Sequence, residues 1–438
     1  DDKPFLVDSI LSELGDRGLK IKAVFHPIFK VRRDASGAFR NFVFDNADAR
    51  GESMICVALS RVGTVEQMAA IEDGVAGVLR DVAIAVADWQ TILKRLDESI
   101  AELWQNPPPA DRAEIDESLA FLQWLKQNHF TFLGTRDYKF EPGGEGQLTP
   151  IHETGLGLLR EPDRRVIRRG KDRNTLTPDV RAFMTQPSPL IVTKSLMRSP
   201  VHRRVQEDYI GIKRFNTAGE LIGERRFIGL FTSTAYHDSP RDIPFLRRKV
   251  ANVIERSGFA HGSHNAKALA VVLETFPRDE LFQISEEDLL RIGPALAYLG
   301  DRPETKAFIR FDTFDRFASA LVYFPADKFR GGLVRGLGAI LTETLGGQVM
   351  NAFPHTEEGH MTRIQYTIAF NDAPKRDYDD DALQKRLARA VRLWSDDFAD
   401  ALAEAMPPDQ AEATFARYAG AFSEGYRETF RPDEALLD

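Results

Sequence analysis

A chain of 438 residues is too long for one ordinary domain and points to roughly two to four domains of about 100 to 150 residues each. Its formal net charge of −8, from 58 Lys and Arg against 66 Asp and Glu, argues against nucleic acid or an anionic membrane as general partners, because both require a basic excess. A single cysteine, Cys56, excludes an internal disulfide framework, and no run approaches the ~18 apolar residues of a membrane-spanning helix. With no basic-then-apolar leader pattern either, the expected location is cytoplasmic. The chain opens without Met and closes at RPDEALLD, which reads as the start of another helix, so both ends look cut and a longer parent is expected.

The first stretch, DDKPFLVDSILSELGDRGLKIKAVF, carries an amphipathic helix, because Val7, Ile10, Leu11 and Leu14 recur at i, i+3, i+4 and i+7. Asp2 and Pro4 mark its start, and Gly15 and Gly18 offer a left-handed stop. Ile21, Ala23 and Phe25 then alternate with polar residues as a half-buried strand. DASG at 34–37 is a turn, FRNFVF follows, and MICVAL is expected as a buried strand with Cys56 in its core. Thr64 caps a helical pattern that runs on past Val86, with Gly74 and Gly77 as weak points. The expected order is thus helix, three strands, helix.

NPPPA at 106–110 is the clearest linker, since consecutive prolines cannot continue a helix. A helix is expected from Asp111 to Asn128, then short strands in FTFLGTRDYKF, GLGLL, PLIVTKS, YIGIKRF and RFIGLFTST. The last has both faces apolar, as a central strand would. Three helices are expected over Ile243–Ser257, Lys267–Phe276 and Glu286–Leu299. KAFIRFDTF and FASALVYFP, a helix over Asp327–Leu345, and GGQVMNAFP and HMTRIQYTIAF suggest a ferredoxin-like unit. Leu383, Leu387, Val391, Trp394, Phe398 and Leu402 predict one continuous helix ended by Pro407 and Pro408, and Phe415 to Tyr426 a further one.

Gly336 and Gly338 have the first spacing of a dinucleotide-binding turn, but Leu341 stands where the third glycine belongs, inside a helical pattern, so close helix packing is the reading. KFRGGL resembles a substrate-carboxylate lysine motif and lacks its second lysine. His261 with His264, and His355 with His360, have no third ligand at standard spacing and read as solvated loop histidines. No catalytic, cofactor or metal residue is therefore assigned. The basic stretch REPDRRVIRRGKDRN is the strongest charge feature, and Arg164, Arg165, Arg168 and Arg169 are read as an interdomain or partner surface, with Arg203 and Arg204 alongside.

Three islands in order, DDKPFLVDSILSEL with HPIF, GLFTSTAY at 229–236 and PRDELFQIS at 277–285, give the chain a resemblance over essentially its whole length. It resembles the N-terminal region of the large bacterial NAD-dependent glutamate dehydrogenases. That resemblance implies an α+β multidomain scaffold. Its parts would be an ACT-like module at 1–105 that lacks its first strand, a Pro-rich linker and helix at 106–128 and a mixed-sheet, PAS-like module at 129–240. A helical connector at 241–303, a second ferredoxin-like or ACT-like module at 304–372 and a helical segment at 373–438 would complete it. It implies a non-catalytic regulatory and oligomerisation region, with NAD bound only by the parent enzyme, and with that enzyme's catalytic domain and other subunits of a homo-oligomer as partners. An amino-acid effector, if bound, is expected at Asp2, Lys3 and Asp8. The residue after the proline of ligand-binding ACT domains is usually glycine and here is Phe5, whose ring would fill the effector pocket. The alternative is a stand-alone ACT/PAS sensor with no enzyme activity.

Overall fold

The structure, a computed structural model, describes residues 1–43, 50–60, 63–141, 147–162, 186–356, 361–371 and 373–438. The chain divides into two compact units, Asp1–Arg256 with Leu273–Glu286, and Ser257–Val272 with Glu287–Asp438.

The first unit opens with α1 (Leu6–Asp16), then β1 (Ile21–Phe25), β2 (Ile28–Arg33), β3 (Phe39–Phe42), β4 (Arg50–Ser53), β5 (Cys56–Leu59) and the 41-residue α2 (Val65–Gln105). Five strands therefore stand where three were expected, as a β1-β5 pair and a separate β3-β2-β4 sheet. Pro27, which has no N–H to donate, separates β1 from β2. Asp34 makes the next reversal by accepting from the N–H groups of Ser36 and Ala38, both at 3.0 Å. Cys56 is exposed rather than buried: among the described residues β5 pairs only with β1, and Cys56 lies opposite Phe25, itself 62% exposed.

Thr64 caps α2 as expected, its hydroxyl accepting from Gln67 N–H at 3.2 Å. Neither glycine interrupts the helix; a Cβ at Gly74 would collide with the Glu13–Arg17 pair of α1, so the glycine lets the two helices approach. The prolines end α2, and Asp111 caps α3 (Arg112–Trp124). α3 stops four residues short of the expected Asn128, because the chain widens into a single turn over Leu125–His129 in which Asn128 takes a φ of 65°.

β6 (Phe130–Glu141), β7 (Gln147–Gly157), β8 (Leu190–Arg198), β9 (Gln206–Phe215) and β10 (Leu221–Phe231) form a sheet of order β7-β6-β10-β9-β8. Every pairing is antiparallel, so the expected mixed sheet is corrected. A tight reversal explains the β9–β10 pairing. Asn216 accepts from Ala218 and Glu220 N–H at 2.9 Å and turns β9 into β10 without the long crossover that a parallel neighbour requires. β10 is central, as its two apolar faces predicted, and Phe227 and Ile228 are fully buried. The C-terminal half of α2 covers one face through Ile92, Leu96 and Leu103, with Asp88 accepting from Gly157 N–H at 2.7 Å and Arg160, and Ser99 accepting from Arg225.

Five helices follow: α4 (Ser233–His237), α5 (Leu246–Arg256), α6 (His264–Thr275), α7 (Arg278–Gln283) and α8 (Glu286–Asp301). α4 and α7 were not foreseen, being five and six residues long and so below the span at which a helical period is legible.

In the second unit β11 (Lys306–Phe311), β12 (Phe317–Pro325), α9 (Leu333–Leu345), β13 (Gln348–Thr356), β14 (Met361–Ala369) and α10 (Asp380–Val391) build an antiparallel sheet of order β11-β12-β14-β13. This is the ferredoxin-like sheet with its last strand moved to the front of the sequence. One face packs on α9 and α10 through Val322, Phe324, Leu337, Leu341, Ile364 and Leu387. α9 begins later than Asp327, after a short turn at Ala326–Lys328 and Gly332 at φ 84°. The continuous helix expected after Leu383 is broken at Arg392, which turns extended. Arg330 donates to Ala390, Val391 and Arg392 carbonyls at 2.8, 2.9 and 3.0 Å, and Asp396 accepts from Leu393 N–H at 2.9 Å, so the ends of both helices are satisfied there. α11 (Trp394–Ala405), α12 (Pro408–Tyr418) and α13 (Glu424–Thr429) then gather Phe398, Leu402 and Ala411 into a small core.

Gly336 and Gly338 both lie within α9 and separate the packing reading by position. A Cβ at Gly338 would stand 3.2 Å from Val349 Cγ2 and 3.3 Å from Tyr366 Cε1, whereas none at Gly336 would meet anything within 4 Å. Gly336→Ala is expected to stabilise the unit by about 0.5–1 kcal/mol and Gly338→Val to destabilise it by about 1–3 kcal/mol, read by urea denaturation.

Candidate functional site

The three islands of resemblance fall on α1, on the end of β10 with α4, and on α7, and all three meet one hairpin, β8–β9. Its tip holds α1. His202, itself at φ 68°, donates its N–H to Ser9 Oγ at 2.8 Å, accepts from Ser12 Oγ at 3.2 Å and sets its Nδ1 3.0 Å from Asp8 Oδ2. Its ring lies 5.2 Å from that of Phe5. Arg204 pairs with Glu13 and with Asp16, and Arg198 reaches Asp16 at 3.4 Å.

The base of the hairpin holds a buried ionic cluster. Lys194 of β8 and Asp208 of β9 are opposite in the ladder, with Nζ 2.6 Å from Asp208 Oδ1 and 3.4 Å from Asp279 Oδ2 of α7. Tyr236 of α4 donates to Asp279 Oδ1 at 2.5 Å, and Phe231 N–H donates to Asp208 Oδ2 at 3.0 Å. Phe231 and Phe282 stack beside it, 4.4 Å apart and 4° from parallel. Lys249 fixes the far end of α7, donating to the carbonyls of Leu281 and Ile284 at 2.9 and 2.8 Å.

Two carboxylates share one ammonium here. Burial pushes the Asp208 carboxyl up to about 6, with Asp279 adding to the rise and Lys194 opposing it. Burial works against the Lys194 ammonium too, but Asp208 and Asp279 outweigh it and hold the lysine well above its usual range. The Tyr236 phenol is driven well up by burial, with the two carboxylates adding and Lys194 opposing. A second buried group, in which Tyr209 donates to Glu224 and Arg226 stacks 3.5 Å over Tyr138, lines the sheet beyond it.

Asp2 accepts from Ser53 Oγ of β4 at 2.5 Å and its N–H donates to Gly51; Asp8 faces His202; among the described residues no hydrogen bond or ion pair ties Lys3 to either, so the three are not gathered into one cluster. Arg164, Arg165, Arg168 and Arg169 lie outside the described residues. Arg203 and Arg204 are half-buried ties rather than an open basic surface: Arg203 donates to Phe231 O at 2.6 Å, and Arg204 serves α1. In KFRGGL, Lys328 pairs with Asp396 at 2.8 Å and Arg330 caps α10. His264 opens α6 and His355 lies in β13, neither in a loop, and among the described residues no group of three or more His, Cys, Asp or Glu side chains is placed to hold a metal ion. The sequence does not single out Lys194, Asp208, Tyr236 and Asp279; the one signal is a lysine within PLIVTKS, a stretch that opens on the apolar run Leu190–Val192.

Four family models match the chain: Glutamate dehydrogenase ACT1 domain over 1–75, helical motif 1 over 243–302, ACT2 domain over 306–395 and helical motif 2 over 401–438. Among curated relatives, the NAD-specific glutamate dehydrogenase of Halomonas elongata is 34% identical over 100% of this chain and 27% of its own length. That of Pseudomonas aeruginosa is 31% identical over 100% and 27%, and that of Mycobacterium tuberculosis 27% identical over 99% and 26%. The chain thus spans about a quarter of the length of the relatives it matches.

Lys194→Met leaves the buried Asp208 and the half-buried Asp279 without their cation and is expected to cost about 3–5 kcal/mol in urea denaturation. Because the folded-state pKa of Asp208 is raised above its unfolded value of about 3.9, its contribution is fully present below pH ~3.9 and is lost as pH rises through about 6. Thermal melts between those pH values should show that slope in the parent chain and its absence in Asp208→Asn.

Proposed function

We propose that this chain, which belongs to the family of the NAD-specific glutamate dehydrogenases and matches their ACT and helical-motif models over 1–75, 243–302, 306–395 and 401–438, is the non-catalytic regulatory and oligomerisation region of such an enzyme. The parent reaction would be oxidation of L-glutamate by NAD, with water, to 2-oxoglutarate, ammonium and NADH. NAD would bind the catalytic part of the parent and not this region, whose partners would be that part and other subunits of a homo-oligomer. The five-stranded antiparallel sheet of order β7-β6-β10-β9-β8 supports a PAS-like assignment for the middle of the first unit. A cytoplasmic location accords with the described residues, which include no helix long and apolar enough to cross a membrane.

The observation that carries the regulatory reading is at the start of α1. Phe5 takes a φ of 71°, the left-handed conformation for which glycine is favoured, at the position where the resemblance expects glycine. A glycine-like backbone at this position supports an effector loop here, and the Phe5 ring, 5.2 Å from that of His202, would fill the space an effector needs. Any control works by coupling binding here to the distant reaction, which requires unequal effector affinity in two enzyme states.

The test is calorimetric titration of the chain with amino acids, glutamate and aspartate included. Saturable heat is expected for one of them, with about 2.7 kcal/mol of stabilisation at about 100 times its dissociation constant. Phe5→Gly should tighten that binding and Asp2→Ala weaken it. No heat from the parent chain or from Phe5→Gly would remove the sensory role and leave the scaffold role.

A further inference from the structure

α2 carries more apolar surface than its own unit uses. Its buried side, which includes Val78, Ala85, Ile92 and Leu96, packs within the first unit. A second stripe, rotated by roughly a quarter turn at 100° per residue, holds Val65, Met68, Val75, Leu79, Val86 and Trp89, and Ile100 and Trp104 prolong it. Val65, Met68, Leu79, Trp89 and Trp104 are 71%, 53%, 39%, 47% and 60% exposed. With Leu93 between Trp89 and Ile100, the separations along the stripe are three, four and seven residues, which keeps a seven-residue repeat from Val65 to Ile100.

A seven-residue repeat keeps facing its neighbour only when that neighbour is another helix winding round it. The stripe therefore fits a helix, and one of about 60 Å, the length of 41 residues at about 1.5 Å each. A second copy of α2 offers a helix of that length, whereas among the described residues the next-longest has 16. Charge selects the direction. Glu66, Glu72 and Asp73 lie toward the N-terminal end, and Arg80, Lys94 and Arg95 farther on. A parallel pair would set Glu72 beside Glu72 on the seam, whereas an antiparallel pair brings Glu72 and Asp73 toward Lys94 and Arg95. Centred near residue 84, it opposes Leu79 to Trp89, Val75 to Leu93 and Met68 to Ile100 of the second copy, all six exposed or half-buried in one copy. At the far end the stripe enters an open groove between α2 and α3, about 470 Å³ in volume, with Ile100, Leu119 and Ala120 among its apolar lining.

We propose that two copies of this chain associate through antiparallel pairing of their α2 helices along this stripe. The proposal rests on the oligomerisation reading above and names the surface and the partner. Light scattering of the 438-residue chain should give twice its 49.3 kDa mass, and Leu79→Glu with Trp89→Glu should return it to the single-chain mass with an unchanged far-ultraviolet spectrum. In a Cys56→Ser background, Leu79→Cys mixed with Trp89→Cys should form a disulfide between copies. Cross-linking of Leu79→Cys with itself instead would overturn the antiparallel arrangement. An oligomer that survives the double glutamate variant would overturn this surface while leaving an oligomerisation role elsewhere in the chain; a single-chain mass for the parent at every concentration would overturn both.

Discussion

One lysine inside the first unit decides how several of its elements meet. Burying an ammonium is costly unless anions come with it, and Lys194 draws two: Asp208 from the neighbouring strand and Asp279 from α7. Asp279 also accepts from Tyr236, which brings in α4. A slip of α7 by one residue would turn Asp279 away and strand a charge, so the ionic contact fixes which turn of a six-residue helix lies against the sheet. The parallel rings of Phe231 and Phe282 supply contact area in the same place but set no comparable register.

The same hairpin works at its other end by smaller forces. At its tip His202, Arg198 and Arg204 hold α1 through contacts that are mostly half-exposed, each of modest strength in water. The hairpin is thus rigid at its base and weakly fastened at its tip. Any rearrangement of the first module relative to the five-stranded sheet would break the tip contacts before the base, because those at the base carry the desolvation of a buried charge.

Periodicity was legible wherever an element was long enough to repeat. α1, α2 with its Thr64 cap, the central position of β10 and the strands of the second unit all follow from apolar spacing. What escaped was decided at single residues. Pro27 divides a strand, Arg330 ends α10 inside an unbroken apolar pattern, and β5 has no second neighbour among the described residues, with Cys56 exposed. The ionic cluster was illegible for a different reason. Its members are 85 residues apart from first to last, and nothing local to Lys194 says which carboxylate will meet it. Its partners nonetheless lie in or beside the islands that carry the family resemblance, so the islands mark where the chain is held together and need not mark a reaction.

That distinction bears on what the N-terminal loop does. A phenylalanine at φ 71° costs backbone energy that glycine would not, of the order of 1 kcal/mol, and it persists because the ring packs against His202 and the turn is held by Ser9, whose hydroxyl donates to Phe5 O at 2.5 Å and accepts from His202 N–H. The backbone at Phe5 thus takes a conformation that suits glycine while the ring is held against His202. An effector would have to displace the ring, and with it the contact that joins α1 to the β8–β9 hairpin. Binding and release of α1 would then be the same event, which is the form of coupling that a regulatory module attached to a distant catalytic site requires.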